Sequence, residues 1–369
     1  MKKSIMLMGS FSGGNYGDSI VLTSLLSYLE TKSFTEVYIP SASPKDTEKL
    51  LKVYDGPLKL NYIDINMRRT YGYRFFNKQV IKSLKNIDYM AFTAGTIFLR
   101  DLLNPRRNFI FSVVLLLLFI RRRNVKLMGL FVGVNEDIKR YSGAKRVIAK
   151  KLFNSFDQVI TRDYESYINV KDSFRHIKVS RSYDVAFYNL LKKNENLPIS
   201  NQHGRTNIGL NICEYLGKQV GKEIDSNDIK NYLITVSQGF EHVFWFHTTK
   251  MDENFVRDHI LFDEKLKSQS IHLRLYEDLQ LEEKYKEMDF FVGMRMHSLI
   301  PALAFGVPVI ALNYNDKVKS LFEQLQGEKY VKELDNLSGL SLEGSSQVGF
   351  TLSESQKKQI IQNVEDIEI

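Results

Sequence analysis

Short apolar or β-branched runs alternate with longer amphipathic segments in the first half of the chain. The runs predicted to be strands are Ile5–Met8, Val37–Pro40, Ile87–Thr93, Val125–Val132 and Gln158–Thr161. The spacing of apolar positions between them predicts helices at Ser19–Glu30, Pro44–Tyr54 and Ala144–Phe153, and a buried helix at Phe109–Ile120. Strands that alternate with helices indicate a parallel sheet with right-handed crossovers.

A polar stretch around Leu191–Arg205 interrupts this alternation and is predicted to be a linker, because it has no hydrophobic period and carries Pro198 and Gly204. Further strands are predicted beyond it, at Ile208–Ile212, Glu241–Thr248, Ile271–Leu275, Phe290–Gly293 and Val307–Tyr314. The sequence therefore predicts two Rossmann-like domains, residues 1–195 and 205–330. A tail, residues 331–369, follows them and ends in a helix opened by the capping pattern Ser353–Gln356.

Composition places the chain among ordinary globular proteins. Its 369 residues, 43% of them hydrophobic, suffice for two cores. The single cysteine, Cys213, excludes an internal disulfide, and no cysteine and histidine cluster has metal-ligand spacing. We therefore expect a cytoplasmic protein without structural zinc. The longest apolar stretch, Phe109–Ile120, is shorter than the roughly 20 residues that cross a bilayer.

The net charge of +8 suits a polyanionic partner. Much of the excess lies between Arg68 and Lys126, at Arg68, Arg69, Arg74, Arg106, Arg107 and Arg121–Arg123. Three interpretations remain open: a solvated basic face, a phosphorylated substrate, and peripheral contact with the inner face of an anionic membrane. Nucleic acid is not expected as a partner, because no RNA-binding or helix-turn-helix motif accompanies these residues.

A glycine-rich patch, Gly9–Asp18, lies between the first predicted strand and the first helix. Glycines let the backbone approach a ligand closely, and the helix start offers free N–H groups to an anion. The patch does not match a dinucleotide fingerprint, because its spacing is not GxGxxG and the second strand ends in Pro40 and Ser41. Asp18 near the helix start either faces a ligand or caps the helix.

A second patch, Phe291–Ser298, runs from a predicted strand into a helix. It places Arg295 and His297 at the carboxyl end of a strand, where open α/β sheets bind ligands. Arginine can form two hydrogen bonds to a carboxylate or phosphate, and histidine can transfer a proton near neutral pH. The alternative for His297 is a cap or a packed core group.

Two more cationic or titratable residues lie at, or just after, the ends of predicted strands. Lys317 could neutralise phosphate in the same crevice, or it could be an exposed lysine in the first turn of the next helix. His247, at the end of its strand with Asp252 nearby, could line a ligand site, or it could be an ordinary loop histidine. Trp245 is predicted to lie in the core.

These patches resemble the polysaccharide pyruvyl transferase family. The family motifs correspond here to Asn15-Tyr-Gly-Asp18, Arg295-Met-His297, Gly306-Val-Pro308 and Tyr314-Asn-Asp-Lys317. Intermediate matches are Thr161-Arg162-Asp163 with Ser166, Asp184-Val-Ala-Phe187 and Gly209-Leu-Asn-Ile212, so the resemblance runs from about residue 5 to residue 322. One departure is Thr93-Ala-Gly-Thr96, before Leu99-Arg-Asp101, where family members usually carry a run of glycines.

The resemblance implies a GT-B-like α/β fold of two Rossmann-type domains with parallel sheets facing a central cleft, the first on the acceptor side and the second on the donor side. It also implies transfer of pyruvate from phosphoenolpyruvate to a sugar as a ketal, with phosphoenolpyruvate as co-substrate and no other cofactor or metal. The acceptor sugar could be nucleotide-linked, lipid-linked or polymeric.

The resemblance also implies roles for the site residues. His297 would be the general acid, and Asp18 would accept or orient a sugar hydroxyl proton. Arg295, with Arg162 and Lys317, would hold the donor's charges. Asn15, Gly17, Ser298 and His247 complete the predicted substrate-binding set. A glycosyltransferase that uses a nucleotide sugar and a non-catalytic sugar-binding protein remain as alternative functions.

Overall fold

The computed structural model describes residues 3–11, 13–65, 82–93, 124–134, 142–174, 176–194, 206–213, 226–261, 267–334 and 349–369. These residues belong to two compact units. The first comprises Met1–Gly13, Val21–Asn189 and Gln362–Ile369, and the second comprises Gly14–Ile20 and Leu190–Ile361. The division between the units therefore precedes the predicted linker, and the segment Gly14–Ile20 groups with the second unit.

The first unit is built on a sheet of parallel strands. Its strands are β1 (Lys3–Met8), β2 (Phe34–Ser41), β3 (Lys59–Asp64), β4 (Tyr89–Thr93), β5 (Lys126–Val132), β6 (Gln158–Thr161) and β7 (Lys178–Arg181). They form a 7-stranded sheet in the order β3-β2-β1-β4-β5-β6-β7. The helices of this half are α1 (Tyr16–Thr31), α2 (Pro44–Leu50), α3 (Gly143–Phe153), α4 (Tyr164–Ser173) and α5 (Ala186–Lys193), with a short 3₁₀ turn at Leu51–Val53.

The second unit repeats this architecture. Its strands are β8 (Asn207–Asn211), β9 (His242–His247), β10 (Ser270–Arg274), β11 (Phe290–Gly293), β12 (Val309–Asn313) and β13 (Val331–Glu333). They form a 6-stranded parallel sheet in the order β10-β9-β8-β11-β12-β13. The helices are α6 (Ser226–Ser237), α7 (Lys250–Phe255, continued by a π-helical turn Val256–Ile260), α8 (Met296–Ala304), α9 (Asp316–Gln324) and α10 (Glu354–Glu365). Single-turn and longer 3₁₀ segments lie at Glu328–Tyr330 and Leu279–Glu287.

The fold class is as predicted, and every predicted strand is present. Central strands are mostly apolar and buried because helices cover both faces of a parallel sheet. All residues of β4 and β11 are buried, for example, and so is Trp245, as predicted. The strands that the sequence did not predict, β3, β7 and β13, all lie at sheet edges.

The tail ends in the predicted helix. The capping pattern is confirmed, because Ser353 N–H donates to Gln356 Oε1 (2.9 Å) and Gln356 N–H donates to Ser353 Oγ (3.3 Å) at the start of α10. Within the tail, Phe350 pairs with Val309 of β12 as an isolated bridge, and residues from Gln362 onwards group with the first unit. The tail is therefore part of both units.

Several predictions fall outside the described residues: the helix at Phe109–Ile120, the loop from Ala94 to Asp101, most of the linker, and the basic residues Arg68, Arg69, Arg74, Arg106, Arg107 and Arg121–Arg123. Lys126, at the end of that basic stretch, lies over the ring of Tyr89, 5.4 Å from its centroid. Among the helices that the structure describes, none combines the length and the apolar character needed to span a membrane.

Candidate functional site

The predicted ligand residues of the second unit lie where its strand order reverses. The sheet reverses between β8 and β11, which end at Asn211 and Gly293, and Arg295 follows directly. Connections leave such a pair of strands in opposite directions, so a crevice opens at their carboxyl ends, where α/β proteins bind ligands. The fold therefore puts Asn211 and Arg295 at the expected ligand position of this unit.

Asn211 fixes the start of α8. Its Oδ1 accepts hydrogen bonds from the Arg295 backbone N–H (3.0 Å) and the Ser298 hydroxyl (2.8 Å), and its Nδ2 donates to the Phe246 carbonyl (2.7 Å). Ser298, a predicted substrate-binding residue, is fully buried, and its Oγ also lies 2.7 Å from the Arg295 carbonyl. Its hydroxyl thus helps to shape the strand-to-helix junction. Asn211 had no predicted role, although it lies in the Gly209–Ile212 match.

The guanidinium of Arg295 forms a bidentate ion pair with Asp252. Arg295 Nη2 lies 2.6 Å from Asp252 Oδ1, and Arg295 Nε lies 2.8 Å from Oδ2. The Asp252 side chain is fully buried, whereas that of Arg295 is 18% exposed. Burial opposes the charge of Arg295, but the hydrogen bonds and negative charge of Asp252 outweigh burial and raise its pKa. Arg295 therefore keeps its charge in a fixed orientation.

Asp252 is held in turn by the loop before α7. Thr248 Oγ1 donates to Asp252 Oδ2 (2.7 Å), and the Asp252 N–H donates to Oγ1 of the N-cap residue Thr249 (3.2 Å). In a capping box the third helical side chain reaches back to the N-cap N–H. Here the carboxylate of that residue binds Arg295. The sequence suggests Asp252 as a neighbour of His247 in a ligand site, whereas the structure pairs it with Arg295.

The Asn15–Asp18 motif forms the start of α1. Asn15 Oδ1 accepts from the Gly17 N–H (3.0 Å), and Asn15 Nδ2 donates to Asp18 Oδ2 (3.0 Å). Gly14, directly before the motif, has φ near +74°, a conformation that glycine adopts without steric cost. Asp18 lies in the first helical turn and is half-buried.

Within the second unit, this motif packs on the loop between β9 and α7 and on α8. The Tyr16 N–H donates to the Thr248 carbonyl (2.9 Å), and Asn15 forms an isolated antiparallel bridge with Thr249. A Cβ atom added to Gly17 would lie 2.4 Å from His297 Nδ1. The His297 imidazole therefore rests directly on the Gly17 backbone, one residue from Asp18. The structure thus brings together Asn15, Gly17, Asp18 and His297 of the predicted set.

The side chain of Tyr16 anchors the motif in the interior. It is fully buried, and its hydroxyl lies 3.4 Å from Glu282 Oε2. Burial raises the pKa of Glu282 from its ordinary value to about 7, although the nearby charge of Lys193 (Nζ 3.9 Å from Oε1) acts against this shift. Burial and Glu282 together raise the pKa of Tyr16 well above its usual value. A carboxyl group that titrates near neutral pH therefore underlies the motif.

His247 occupies the buried end of β9. It is 1% exposed, and its Nε2 lies 2.8 Å from Nδ1 of His272, whose ring stacks on it with centroids 5.1 Å apart. Burial, followed by the charge of His272, lowers the pKa of His247 to about 3. His247 is therefore neutral at physiological pH and belongs to a packed histidine pair, in contrast to the loop histidine considered from the sequence.

Lys317 is the second residue of α9. Its backbone N–H donates to Oδ1 of the N-cap residue Asn315 (3.1 Å), and its side chain is half-buried. Burial raises the pKa of Tyr314, three residues earlier, to about 12, and the charge of Arg295 acts against this shift. Lys317 thus follows a loop whose first residue is affected by the charge of Arg295.

Arg162, the other predicted donor-binding arginine, belongs to the first unit. It follows β6 and is 5% exposed. Its Nη1 lies 3.4 Å from Asp184 Oδ2, and its Nε lies 3.7 Å from Asp163 Oδ2. A Cβ added to Gly133 would lie 2.8 Å from Arg162 Nη2. Arg162 is therefore a buried cation held loosely between aspartates.

No candidate metal site is found in the part of the chain that the structure describes. No group of three or more histidine, cysteine, aspartate and glutamate side chains there is arranged to hold an ion.

Several solved structures share the fold of this chain. The UDP-GlcNAc 2-epimerase from Methanocaldococcus jannaschii matches with a TM-score of 0.58 and 14% identity, over 98% of this chain and 99% of that chain. S. aureus MnaA bound to UDP matches with a TM-score of 0.58 and 13% identity, over 92% of this chain and 86% of that one. Anabaena HepE in complex with UDP and glucose matches with a TM-score of 0.54 and 13% identity, over 99% and 94%. At these identities the likeness shows the fold, which is GT-B-like.

Sequence comparison identifies the family. A search of curated proteins found no match. A sequence model of the polysaccharide pyruvyl transferase family matches residues 15–316, from the Asn15–Asp18 motif through Arg295 and His297 to the start of α9. Because the match spans most of the chain, this protein belongs to the polysaccharide pyruvyl transferase family.

Proposed function

We propose that this protein transfers the pyruvyl group of phosphoenolpyruvate to a sugar of a cell-surface polysaccharide or its precursor and forms a pyruvate ketal. The family match supports pyruvyl transfer. The observation that supports specific residue roles is the packing of His297 on Gly17. This contact lies beside Asp18 and two residues from the charged Arg295.

The reaction needs an acid, a base and cationic groups. The methylene carbon of phosphoenolpyruvate takes up a proton and becomes a methyl group, while a sugar hydroxyl oxygen bonds to the central carbon. A second sugar hydroxyl then bonds to the same carbon as the C–O bond to phosphate breaks. Of the two hydroxyl protons, one balances the proton taken up by carbon and the other leaves with phosphate.

Each role falls to a residue with suitable chemistry. His297 supplies the proton to carbon, since histidine exchanges protons near neutral pH. Asp18 accepts or orients the sugar hydroxyl proton. Arg295 binds a carboxylate or phosphate oxygen of the donor, and Arg162 and Lys317 balance its remaining charge. Asn15 orients Asp18 through its 3.0 Å hydrogen bond.

The proposal is tested by incubating the purified protein with phosphoenolpyruvate and acceptor sugars. Because UDP occurs in solved structures of the same fold, UDP-linked sugars belong in the panel beside lipid-linked and polymeric ones. The expected result is release of phosphate together with a product whose mass has gained one pyruvyl ketal. Phosphate release without that mass gain, or no release with any acceptor, would contradict the proposal.

The competing function is glycosyl transfer from a nucleotide sugar. Any ligand that binds the native state raises the melting temperature. Stabilisation by phosphoenolpyruvate favours the pyruvyl transferase, whereas stabilisation by nucleotide sugars alone, with release of the nucleoside diphosphate, favours the glycosyltransferase.

A further inference from the structure

The proposed mechanism assigns a role to Arg295 but none to Asp252, the buried carboxylate that binds it. We propose that Asp252 is a positioning residue, which orients the Arg295 guanidinium to receive an oxyanion of the donor. This inference rests on the proposed function. The inference adds Asp252, which lies outside the family motifs found in the sequence, to the residues of the candidate site.

Arg295 is fixed both at its backbone and at its guanidinium. Its backbone N–H donates to Asn211 Oδ1 (3.0 Å), and its Nε and Nη2 atoms bind the two oxygens of Asp252 (2.8 and 2.6 Å). A guanidinium is planar and carries its N–H groups on rigid edges. Holding the edge formed by Nε and Nη2 therefore sets the direction of the edge formed by the two Nη atoms.

Asp252 is itself held in place. Its side chain is fully buried, Thr248 Oγ1 donates to its Oδ2 (2.7 Å), and its N–H is capped by Thr249 Oγ1 (3.2 Å). The carbonyl of Thr248 accepts the N–H of Tyr16, so one loop holds both Asp252 and the motif that carries Gly17 and Asp18. The arrangement fixes the arginine relative to the residues proposed to act on the sugar.

Asp252 has two opposing effects on an anionic donor. Its charge repels the donor, but the Arg295 cation lies between them because Asp252 occupies a different edge of the guanidinium. The hydrogen bonds to Asp252 also hold the Arg295 side chain in one conformation before the donor arrives. Binding the donor therefore costs less side-chain entropy. We expect pre-ordering to dominate, since the buried pair is neutral as a whole.

The test is a cycle of variants in which phosphoenolpyruvate affinity is measured by calorimetry. Asp252→Asn keeps the shape but leaves a single acceptor oxygen, and it should weaken binding about tenfold. In a protein that already carries Arg295→Lys, which cannot form the fork, the same change should weaken binding no further. Glu253→Gln is the matched control, because Glu253 is an adjacent buried carboxylate that binds Lys250, Arg257, Arg274 and Tyr276, and it should leave the affinity unchanged.

Several results would overturn the inference. They are unchanged or tighter binding by Asp252→Asn, an equal loss in the Arg295→Lys background, and an equal loss in Glu253→Gln. If Asp252→Asn does not fold, Thr248→Val removes only the hydroxyl bonded to Asp252 and should weaken binding about threefold, with no effect in the Arg295→Lys background. Unchanged affinity in Thr248→Val would then count against the inference.

Failure of the proposed function gives a different result. If the wild-type protein binds no phosphoenolpyruvate, the proposed function fails, and the same cycle is run with inorganic phosphate as the probe. A loss of phosphate affinity that depends on Arg295 then supports the positioning role, and its absence overturns it.

Discussion

Each unit of this protein contains an arginine paired with aspartate near the end of a parallel strand, and the two pairs differ in geometry and burial. In the second unit, Arg295 binds Asp252 through two short contacts of 2.6 and 2.8 Å. In the first, Arg162 lies farther from its partners, with Nη1 3.4 Å from Asp184 Oδ2 and Nε 3.7 Å from Asp163 Oδ2. Arg162 is nevertheless the more buried arginine, 5% exposed against 18% for Arg295.

The difference shows how an arginine is prepared for a ligand. A short bidentate pair fixes the direction of a guanidinium, while longer contacts to two separate carboxylates hold its direction less firmly. Asp184 divides its oxygens between Arg162 and the Ala186 backbone N–H (3.0 Å), whereas both oxygens of Asp252 bind Arg295. We therefore expect Arg295 to recognise the shape of the donor and Arg162 to contribute charge.

The largest expected effect concerns His297, which lies two residues after Arg295. Arg162 has a tyrosine, Tyr164, at the corresponding position. His297→Gln should lower turnover by about a hundredfold to ten-thousandfold, or roughly 3 to 5 kcal/mol of barrier, because positioned acid catalysis is lost. The melting temperature and phosphoenolpyruvate affinity should change little, since glutamine keeps a polar side chain of similar reach. Steady-state kinetics and calorimetry measure this split. Near-normal turnover would make His297 a structural residue, and the acid would then have to be another group.

The next effect separates the two arginines directly. Arg295→Lys should weaken phosphoenolpyruvate binding by about a hundredfold, because a point charge cannot replace a fork of charged hydrogen bonds. Arg162→Lys should weaken it by at most about tenfold, because lysine keeps the charge and can make a single contact. Titration calorimetry on folded proteins gives both values. Equal losses would remove the proposed distinction.

A smaller effect is expected from glycines that lie against the motif side chains. Gly17→Ala would bring a methyl group to 2.4 Å from His297 Nδ1, and Gly133→Ala would bring one to 2.8 Å from Arg162 Nη2. An imidazole has little room to yield, so Gly17→Ala should reduce turnover at least about tenfold. The end of an arginine side chain can move, so Gly133→Ala should reduce turnover about threefold or less. Comparable losses in turnover would show that both side chains are held equally firmly.

The smallest effect is a pH dependence of stability in the second unit. Glu282 ionises near pH 7 in the folded protein and at its ordinary 4.5 when unfolded. Between these values the folded state binds more protons, so its contribution to stability falls as pH rises from 4.5 to 7 and is constant above. From pH 6 to 8 the loss should be about 1 kcal/mol.

The measurement compares wild type with Glu282→Gln, which mimics the protonated group beside Tyr16. The free energy of unfolding of the variant, relative to wild type, should rise over that pH range and then level off. A constant difference from pH 6 to 8 would show that Glu282 has an ordinary pKa.

The sequence predicted every central strand but missed three of the four edge strands, β3, β7 and β13, for a physical reason. A central strand of a parallel sheet is covered on both faces and is therefore mostly apolar, as β11 is. An edge strand meets solvent and tolerates polar residues. In β3 only Ile63 is buried, and the strand begins with Lys59 and ends with Asp64, so no apolar run marks it. The pairing of β3 with β2 became apparent only in the assembled sheet.

The candidate site shows the same division. The Asn15–Asp18 and Arg295–His297 motifs were recognisable because strand-to-helix junctions leave local patterns of glycine, charge and apolar residues. The buried state of His247, and its pairing with His272 from the neighbouring strand, had no local signal. The partner of Arg295 was also hidden, because Asp252 lies 43 residues away and resembles any acidic residue in a first helical turn.

The sequence by itself determined the alternation of strands and helices, the family, and the residue types at the ends of β8 and β11, because these depend on local periodicity and short motifs. Tertiary structure decided which buried carboxylate each cation meets and which side chain lies on Gly17. It also decided that residues 14–20 group with the second unit although α1 continues into the first. Hydrogen bonds and ion pairs between distant residues depend on distances of a few tenths of an ångström, and only the packed chain sets those distances.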